Sequence, residues 1–411
     1  MTKKRFAIVG ASSRAVGMFA VPIATAFSES CELAALCDPS RVHMDYTNAQ
    51  LPRPVPTFQD FDAMLREVAF DTLIVVTQDT FHHEYIIKGL AAGKDVICEK
   101  PMTFDDEKCR AILRAEKRSG RKVTITFNYR YAPPATAIRR IIADGAIGEV
   151  VTVDMHWPLD MIHGADYFRR WHRRRANTGG LQVHKSTHHF DLVNWIIQDE
   201  PVSVAAQGSL AFYGRNGPFR SKRCRGCPHR GRCRFYWDVT SNPEYVKFYV
   251  AAEKETGYFR DGCVFDEEID IEDNYSLLVN YRRGARLAYS LQAWSPWEGY
   301  RLEVQGKKGR LEYLEVHGPS DEWVEPRERR ITVLLNDGIR TYMVPPKAIG
   351  GHGGGDDLMR KMIFEKGHAD PLGHQAGSLD AARSILVGVA ATRSMQSNGA
   401  WVKIGDLLKG K

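Results

Sequence analysis

A short segment rich in histidine contains the residues best suited to acid–base chemistry. It runs Gly179-Gly180-Leu181-Gln182-Val183-His184-Lys185-Ser186-Thr187-His188-His189-Phe190-Asp191. On a helix, His184, His188 and Asp191 share one face because they are four and three residues apart. Removing a hydroxyl proton needs a base whose pKa lies near the working pH, and histidine has such a pKa. His188 is therefore the candidate base, and His184 is placed to hydrogen-bond a neighbouring hydroxyl.

Two other interpretations of this segment stay open. The first is a polar helix face whose histidines only make internal hydrogen bonds. The second is a metal site, because two histidines four residues apart on a helix suit zinc.

A lysine stands where a buried strand is predicted to end. The apolar run Val96-Ile97-Cys98 continues as Glu99-Lys100-Pro101. In parallel sheets, ligands lie beyond the carboxyl ends of the strands. Lys100 is thus placed to reach a cofactor and a substrate and to share a proton with His188. The alternative is an ordinary exposed lysine before a turn.

The N-terminal strand leads into a loop that resembles a phosphate-binding turn. The loop reads Gly10-Ala11-Ser12-Ser13-Arg14-Ala15-Val16-Gly17, with Ser12 at the position of the usual middle glycine. Glycines there let backbone amides at a helix N-terminus approach a pyrophosphate. Asp38 follows the second strand, where a carboxylate binds ribose hydroxyls and repels a 2′-phosphate. NAD is favoured, while Arg41 keeps NADP possible, and an incidental turn is the alternative.

A basic run precedes the histidine segment. It reads Phe168-Arg169-Arg170-Trp171-His172-Arg173-Arg174-Arg175. Arginines bind carboxylate, sulfonate or phosphate groups with paired hydrogen bonds. Arg169, Trp171 and Arg174 are therefore candidate contacts to an anionic substrate. A solvated surface, a nucleic-acid patch or a subunit contact would explain the same run.

Three cysteines lie close together at metal-ligand spacing. Cys224, Cys227 and Cys233 form C-x2-C-x5-C, and Cys263 or His229 would supply a fourth ligand. Thiolates at such spacing enclose zinc in closed structural sites. An iron–sulfur cluster and unligated thiols are the alternatives.

The predicted elements divide the chain into an N-terminal α/β region and a C-terminal α+β region. Up to residue 130, short β-branched runs alternate with helical patterns, which indicates a Rossmann-type parallel sheet. Residues 131–345 show consecutive strands with little helix between them, which predicts a large open, mostly antiparallel sheet. The cysteine cluster would be inserted there, at 220–265. Residues 346–411 are predicted to form helices that pack back on both domains. The strands are expected at Arg5–Val9, Leu33–Cys37, Thr72–Val76, Asp95–Cys98, Val123–Phe127, Val150–Trp157, Tyr275–Tyr281, Ala285–Trp294, Tyr300–Gln305, Arg310–Tyr313 and Arg330–Leu335.

Length and composition agree with this division. A chain of 411 residues suits about two domains. The net charge of +7 is mild, fits an anionic ligand and does not demand nucleic acid. No apolar run is long enough for a membrane span, and the N-terminus lacks a secretory pattern, so a cytoplasmic location is expected.

Together these motifs resemble the glucose–fructose oxidoreductase / inositol dehydrogenase (Gfo/Idh/MocA) family. The resemblance rests on Glu99-Lys100-Pro101, on Thr77 to His82 one strand earlier, on Asn128-Tyr129-Arg130 one strand later, and on the helix around His188. It implies a two-domain NAD(P) enzyme acting on a hydroxyl of a sugar or polyol. Lys100 would contact both nicotinamide and substrate. The remaining cofactor contacts it implies are Gly10, Ser12, Ser13, Arg14, Asp38, Arg41, Thr77, His82, Glu99 and Asn128, with Tyr129, Arg130 and Asp191 toward the substrate.

One departure from the family keeps the net reaction open. The family's first helix aspartate is replaced by His184, followed by Lys185. The first hypothesis is an NAD-dependent sugar dehydrogenase. The second is an NAD-dependent glycosidase that oxidises, eliminates, hydrates and reduces, with His184 and Lys185 as extra acid–base groups. An anionic glycoside such as a sulfoquinovoside would suit the arginine run. A non-catalytic NAD sensor or nucleic-acid binder is the third, and the resemblance also implies a homodimer or homotetramer.

Overall fold

Two β-sheets organise the chain in the computed structural model, which describes residues 2–317, 330–343, 351–365 and 367–410. The first sheet is parallel except for one short edge strand, and the second is mostly antiparallel. The predicted fold class is confirmed. The boundary expected near residue 345 lies outside the described residues.

The N-terminal region alternates strands and helices. Its strands are short and fully buried at the centre, because helices cover both faces of the sheet. The elements, in chain order, are β1 (Lys4–Val9), α1 (Ser13–Ala15), α2 (Val21–Ala24), β2 (Cys31–Cys37), α3 (Arg41–Asn48), β3 (Thr57–Phe58), α4 (Phe61–Glu67), β4 (Thr72–Val75), α5 (Asp79–Ala91), β5 (Asp95–Cys98), α6 (Asp106–Ser119) and β6 (Val123–Ile125).

The second region is built on a nine-stranded sheet whose inner face packs on helices. Its strands alternate buried and partly exposed residues, as a sheet with one covered face requires. The elements are α7 (Pro133–Ala143), β7 (Val150–Asp160), α8 (Met161–Arg169), α9 (Arg175–Thr178), α10 (Leu181–His184), α11 (Thr187–Ile197), β8 (Pro201–Ser209), α12 (Pro243–Tyr245), α13 (Glu253–Thr256), β9 (Asn274–Tyr281), β10 (Arg286–Ser295), β11 (Glu298–Gly306), β12 (Gly309–His317), β13 (Arg330–Leu335) and β14 (Gly338–Met343).

The closing elements return to both regions. They are α14 (Gly355–Phe364), β15 (Ala376–Gly377), α15 (Ser378–Gln396), β16 (Val402–Lys403) and α16 (Ile404–Lys409). Phe364 of α14 packs against Phe6 and Phe27 of the first region, with ring centroids 5.3 and 5.2 Å apart. The strand β15 pairs with β6 and so extends the first sheet, while β16 pairs with β8 at the edge of the second.

Strand order creates the crevice of the first sheet. The order is β15-β6-β5-β4-β1-β2-β3, so the chain turns in opposite directions on the two sides of β1. Ligands of such sheets bind beyond the carboxyl ends at this switch point. The second sheet has the order β14-β13-β12-β11-β7-β10-β9-β8-β16.

The histidine segment is not one continuous helix. The structure ends α10 at His184 and starts α11 at Thr187, with a turn at Lys185 and Ser186 between them. The single shared helix face predicted for His184, His188 and Asp191 is therefore wrong in detail. The break turns His184 toward the first region, whereas His188 stays on α11.

A long insertion separates β8 from β9. We call residues 210–273 the inserted segment, and they include α12, α13 and a π-helical turn at Val246–Val250. Cys224, Cys227, Cys233 and Cys263 all lie in it. It contacts both the loop before α9 and the first region.

Candidate active site

The loops after β1, β2, β4 and β5 meet at the carboxyl edge of the first sheet. Gly10 follows β1 with φ of +89°, and a Cβ there would lie 2.7 Å from the backbone nitrogen of Thr77. Only glycine fits so close to the β4 loop in that conformation. The loop after β1 therefore runs directly beside Thr77, which is half-buried.

The phosphate loop and Asp38 form a set of groups suited to a dinucleotide. Ser12 caps α1, where its hydroxyl accepts a hydrogen bond from Ala15 N at 3.2 Å. Asp38 accepts from Ala11 N and Ser40 N, each at 2.8 Å, and keeps lone pairs for ribose hydroxyls. Exposed Ser13 and Arg41 flank this edge. Backbone amides, serine hydroxyls and one carboxylate are the groups that hold a pyrophosphate and a ribose.

Arg14 and Glu99 belong to an ion-pair network that ties α14 to this edge. Arg14 Nε lies 2.8 Å from Glu99 Oε1, and its two terminal nitrogens lie 3.1 Å from the oxygens of Asp356. Asn128 Nδ2 donates to Asp356 at 2.6 Å, and His352 Nδ1 lies 3.1 Å from it. Asp356 is buried, yet the hydrogen bonds from His352 and Arg14 hold its pKa well below the ordinary value. Sequence reasoning missed Asp356 and His352.

His82 joins two of the loops. It is buried, with Nδ1 at 2.8 Å from the carbonyl oxygen of Pro101 and Nε2 at 3.0 Å from that of Thr77. Both ring nitrogens are thus engaged by backbone. His82 holds the β4 and β5 loops in place around Lys100, and this geometry assigns it a positioning role.

Lys100, Asp79 and His184 form a polar cluster where the carboxyl edge of the first sheet meets the second region, and we call the space around this cluster the cleft. Asp79 begins α5 and is 2% exposed, and its Oδ2 lies 2.5 Å from His184 Nδ1. Lys100 Nζ donates to the backbone oxygen of His184 at 3.4 Å. Burial and the Lys185 ammonium lower the pKa of Lys100 to about 8, against the opposing charge of Asp79. Burial, Lys100 and Arg170 lower the pKa of His184 well below its ordinary value.

His188 faces the same cleft from α11 among aromatic rings. It is 3% exposed, and its ring centroid lies 5.1 Å from that of Tyr129 and 6.2 Å from that of His352. Its Nδ1 is buried and has no hydrogen-bond partner among the described residues. Burial and the charge of Lys100 lower its pKa well below the ordinary value. His188 is therefore neutral at physiological pH and has an acceptor available.

Lys185 lies in the break between α10 and α11 and points between two aromatic rings. Its Nζ is 5.4 Å from the Trp157 ring and 6.0 Å from the Tyr129 ring. Burial lowers its pKa, and the Glu298 carboxylate opposes that shift. The break thus places a second amine near Lys100.

The arginine side chains of the basic run point in different directions, which the sequence did not indicate. Buried Arg169 donates to Cys224 Sγ at 3.2 Å and to the Phe235 carbonyl, inside the inserted segment. Arg174 pairs with Glu268 and Asp270 at 3.7 and 3.5 Å. Neither arginine faces the cleft, so the geometry does not support their predicted substrate contacts.

Arg170 is the member of the run that faces the histidines. Its charge contributes to lowering the pKa of buried His172, after burial and His184, and it pairs with Asp166 at 3.2 Å. Its Nε is buried without a hydrogen-bond partner among the described residues. Trp171 stacks on His172, whose ring lies 4.2 Å from that of His184. The side chains that sequence reasoning missed here are Arg170 and His172.

Arg130 and Asp191 bind each other. Two nitrogens of Arg130 lie 2.8 and 2.5 Å from the two oxygens of Asp191, and both side chains are almost fully buried. A third nitrogen donates to the Gly373 carbonyl. This bidentate pair joins the loop after β6 to α11, and the substrate contacts predicted for the two residues stay a prediction.

The four cysteines of the inserted segment converge on one small cavity. Cys224, Cys227, Cys233 and Cys263 line a space of about 10 Å³. The backbone bridge between Arg223 and Gly262 brings the first pair beside Cys263, whose sulfur accepts a hydrogen bond from Phe265 N. Among the described residues, no group of three or more His, Cys, Asp or Glu side chains has the arrangement of a metal site.

A parallel dinucleotide fold with a lysine and histidines at its carboxyl edge defines a dinucleotide-dependent oxidoreductase. Residues 4–127 match the family model described as oxidoreductase family, NAD-binding Rossmann fold, and residues 139–404 match its C-terminal alpha/beta domain. The chain belongs to the Gfo/Idh/MocA family of oxidoreductases, and the predicted resemblance is confirmed. Its first region is thus an NAD-binding Rossmann domain.

Named relatives and solved structures extend this finding. The putative oxidoreductase YteT of Bacillus subtilis is 40% identical, over 95% of this chain and 96% of that protein. Inositol 2-dehydrogenase of Rhizobium meliloti is 32% identical over 36% of this chain and 43% of its own length. The Caulobacter crescentus aldose–aldose oxidoreductase complexed with glycerol superposes with a TM-score of 0.65 at 20% identity, covering 98% of this chain and all of that one. An Agrobacterium radiobacter oxidoreductase in complex with NAD+, L-tartaric acid and magnesium superposes with a TM-score of 0.67 at 17% identity, covering 99% of this chain and all of that one.

In the described part of the chain, every helix is too short or too polar to cross a membrane.

Proposed function

We propose that this chain transfers hydride between NAD and a hydroxyl-bearing carbon of a sugar or sugar derivative. The observation that supports this most is the convergence of Lys100, His184 and neutral His188 at the carboxyl edge of the NAD-binding sheet. Inositol 2-dehydrogenase and aldose–aldose oxidoreductase act on carbohydrates or polyols, as their names state, and they share this family or fold. When bound at this edge, NAD would supply the hydride acceptor.

The chain's own residues would handle the hydroxyl proton. His188 is neutral and has an acceptor nitrogen available, so it can take the proton as the C–H bond breaks. Lys100 has a pKa lowered to about 8, so it can donate a hydrogen bond to the oxygen and exchange a proton near neutral pH. Asp79 holds the His184 ring, which leaves Nε2 of that ring for a neighbouring hydroxyl.

We propose further that the substrate is anionic. Lys100, Lys185 and Arg170 place three cationic groups around histidines that are held neutral. The buried Nε of Arg170 has no hydrogen-bond partner among the described residues, so it can donate one hydrogen bond to a carboxylate or sulfonate. In this proposal Arg170 replaces Arg169 and Arg174 as the anion contact.

The experiment is a turnover assay with purified protein, NAD and a panel of neutral and acidic sugars, read as NADH absorbance. A Lys100→Met variant should lose turnover while still binding NAD. Lys88→Met is the matched control, because Lys88 forms an exposed ion pair with Asp62 on the surface of the same domain. Absence of NADH formation with every sugar would refute the dehydrogenase proposal, and unchanged turnover of Lys100→Met would refute the role of Lys100.

The Asp79–His184 pair favours a second candidate function, NAD-dependent cleavage of an anionic glycoside such as a sulfoquinovoside. Oxidation of a ring hydroxyl acidifies the neighbouring C–H, a base removes that proton, and the aglycone leaves. Water then adds and the hydride returns to the sugar, so NAD is regenerated. This sequence needs a second base besides His188, and a histidine backed by a buried carboxylate can serve as one.

Solvent isotope labelling distinguishes the two functions. A glycosidase of this kind releases aglycone only with NAD present, forms no net NADH and incorporates deuterium at the carbon next to the oxidised one. A dehydrogenase forms stoichiometric NADH and leaves that carbon unlabelled. Aglycone release by protein freed of NAD would exclude the oxidative route.

We also propose that Cys224, Cys227, Cys233 and Cys263 hold a structural zinc ion. Two observations support this proposal. The four cysteines converge on one cavity. Arg169 donates an N–H···S hydrogen bond to Cys224, and Phe265 donates one to Cys263. Backbone and guanidinium donors to sulfur stabilise thiolates.

A second copy of this chain is the proposed partner for the outer face of the large sheet. A hollow of about 760 Å³ lies on that face, lined by residues that include Asp154, Gln207, Leu278 and Arg301. Leu278 is about half exposed there. Light scattering of the purified protein tests this, and a monomer at micromolar concentration would refute it.

A further inference from the structure

The inserted segment reaches across to the Rossmann domain beside the expected ribose site. Tyr249 OH lies 3.0 Å from Ser13 Oγ in the phosphate loop. The Phe248 ring stacks on His43 of α3, with centroids 4.4 Å apart and planes 12° from parallel. These contacts place α13, the next helix along the segment, over the start of α3.

Glu255 of α13 is bonded to the first turn of α3. Its Oε2 accepts from Ser40 Oγ at 2.6 Å and from Val42 N at 3.3 Å. Ser40 is the N-cap residue of α3, and its own backbone amide donates to Asp38. The hydrogen bond from Ser40 lowers the pKa of Glu255, which is therefore ionised at neutral pH. The Glu255 carboxylate of the second region is thus bonded to Ser40, which is two residues after Asp38. Asp38 is the carboxylate expected to bind the ribose.

The groups that Glu255 uses are those that a 2′-phosphate would need. In this fold, the carboxylate after the second strand binds the 2′-hydroxyl, and a 2′-phosphate is accommodated by groups immediately beside it. Here those groups are a serine hydroxyl and a backbone amide at a helix N-terminus, which together favour an anion. The guanidinium of neighbouring Arg41 donates to Gln59 and is exposed.

We propose that Glu255 determines the choice of NAD over NADP, because it occupies the anion position beside Asp38 that the 2′-phosphate would require. A 2′-phosphate there would lose the Ser40 and Val42 donors and would meet two carboxylates. The effect of Glu255 adds to that of Asp38 and comes from the inserted segment, which is distant from the nucleotide motif in sequence. The inference rests on the proposed use of NAD at this edge.

The test measures nucleotide binding without turnover, using the full-length protein freed of nucleotide and the fluorescence of NADH and NADPH. Glu255→Gln keeps the size of the side chain but removes its charge, and Glu255→Lys reverses the charge. We expect NADPH to bind roughly tenfold more tightly to Glu255→Gln, and more tightly still to Glu255→Lys, since removal of one adjacent like charge is worth about that factor. NADH affinity should change by no more than about twofold.

Glu244→Gln is the matched control. Glu244 lies in the same inserted segment and contacts the same helix, but it accepts from Tyr46 OH at 2.8 Å instead of from the helix N-terminus. We expect its NADPH affinity to match that of the unsubstituted protein. Equal gains in the Glu244 and Glu255 variants, or no gain in either Glu255 variant with a normal melting curve, would overturn the proposal. Failure of the unsubstituted protein to bind either nucleotide would instead refute the proposed function itself.

Discussion

Replacement of Asp79 by asparagine tests the polar centre of the site. Asparagine has almost the same shape and can still hydrogen-bond His184, but it removes the buried negative charge 2.5 Å from His184 Nδ1. A hydrogen bond to a charged group contributes about 1.5–3 kcal/mol. If that contribution orients His184 in the transition state, kcat/KM should fall roughly 10- to 150-fold.

The same substitution should move the pH profile in a direction fixed by charge. Burial raises the pKa of Asp79 to about 7, so its carboxylate is ionised near pH 8, where it favours protonated Lys100. The charge of Asp79 favours the protonated amine of Lys100, and a nearby opposite charge typically shifts a pKa by about one unit or more. The pKa of Lys100 should therefore fall by about one unit or more in Asp79→Asn.

The assay is the pH dependence of kcat/KM between pH 6 and 10. The limb near pH 8 should move to lower pH in Asp79→Asn, whether activity needs the protonated or the neutral amine. Asp62→Asn is the control, since Asp62 forms an exposed ion pair with Lys88 and should leave the limb in place. An unmoved limb in a variant with an unchanged melting curve would refute the assignment of this limb to Lys100 beside Asp79.

Three further substitutions test the roles proposed for His188, for Arg170 and for the cysteine cluster. His188→Ala should lower kcat about 10²- to 10⁴-fold while NADH still binds, as expected for loss of a general base, and retained kcat would contradict that role. Arg170→Met should raise KM for acidic sugars about tenfold or more and leave neutral sugars unaffected, whereas Arg174→Met, which removes an arginine paired with Glu268, should change neither. Purified protein should contain zinc by elemental analysis, and Cys227→Ser should lose it together with several degrees of melting temperature; metal-free protein with an unchanged melting curve would refute the zinc proposal.

Local signals predicted most of the elements. The helix Asp106–Ser119 shows such signals at both ends, because Asp105 caps it and Gly120 ends it in a left-handed conformation. Lys100 was placed correctly at a strand end by the apolar run before it and the proline after it. These signals act within a few residues of the chain, where propensity and capping are decided.

Such local signals do not predict contacts between segments that are far apart in the sequence. Asp79 and His184 are 105 residues apart, and Asp356 lies 342 residues from Arg14. The arginine run shows a second limit. Because α8 ends at Arg169 and Arg170 is extended, with φ of −92° and ψ of 179°, adjacent arginines point in different directions. The residue spacing does not indicate this change of direction. The sequence analysis therefore proposed Arg169 as an anion contact, whereas Arg170 is the arginine that lies near the histidines.

His184 stands where the resemblance implies an aspartate, and in the structure it is paired with Asp79. The Rossmann domain thus supplies a carboxylate beside His184 through the first turn of α5. The Asp79–His184 pair is therefore split between the two regions. A helix N-terminus also favours the ionised form of Asp79 over the neutral form that burial favours. Proton transfer at His184 would thus depend on contact between the two regions, which couples this histidine to the domain that binds NAD.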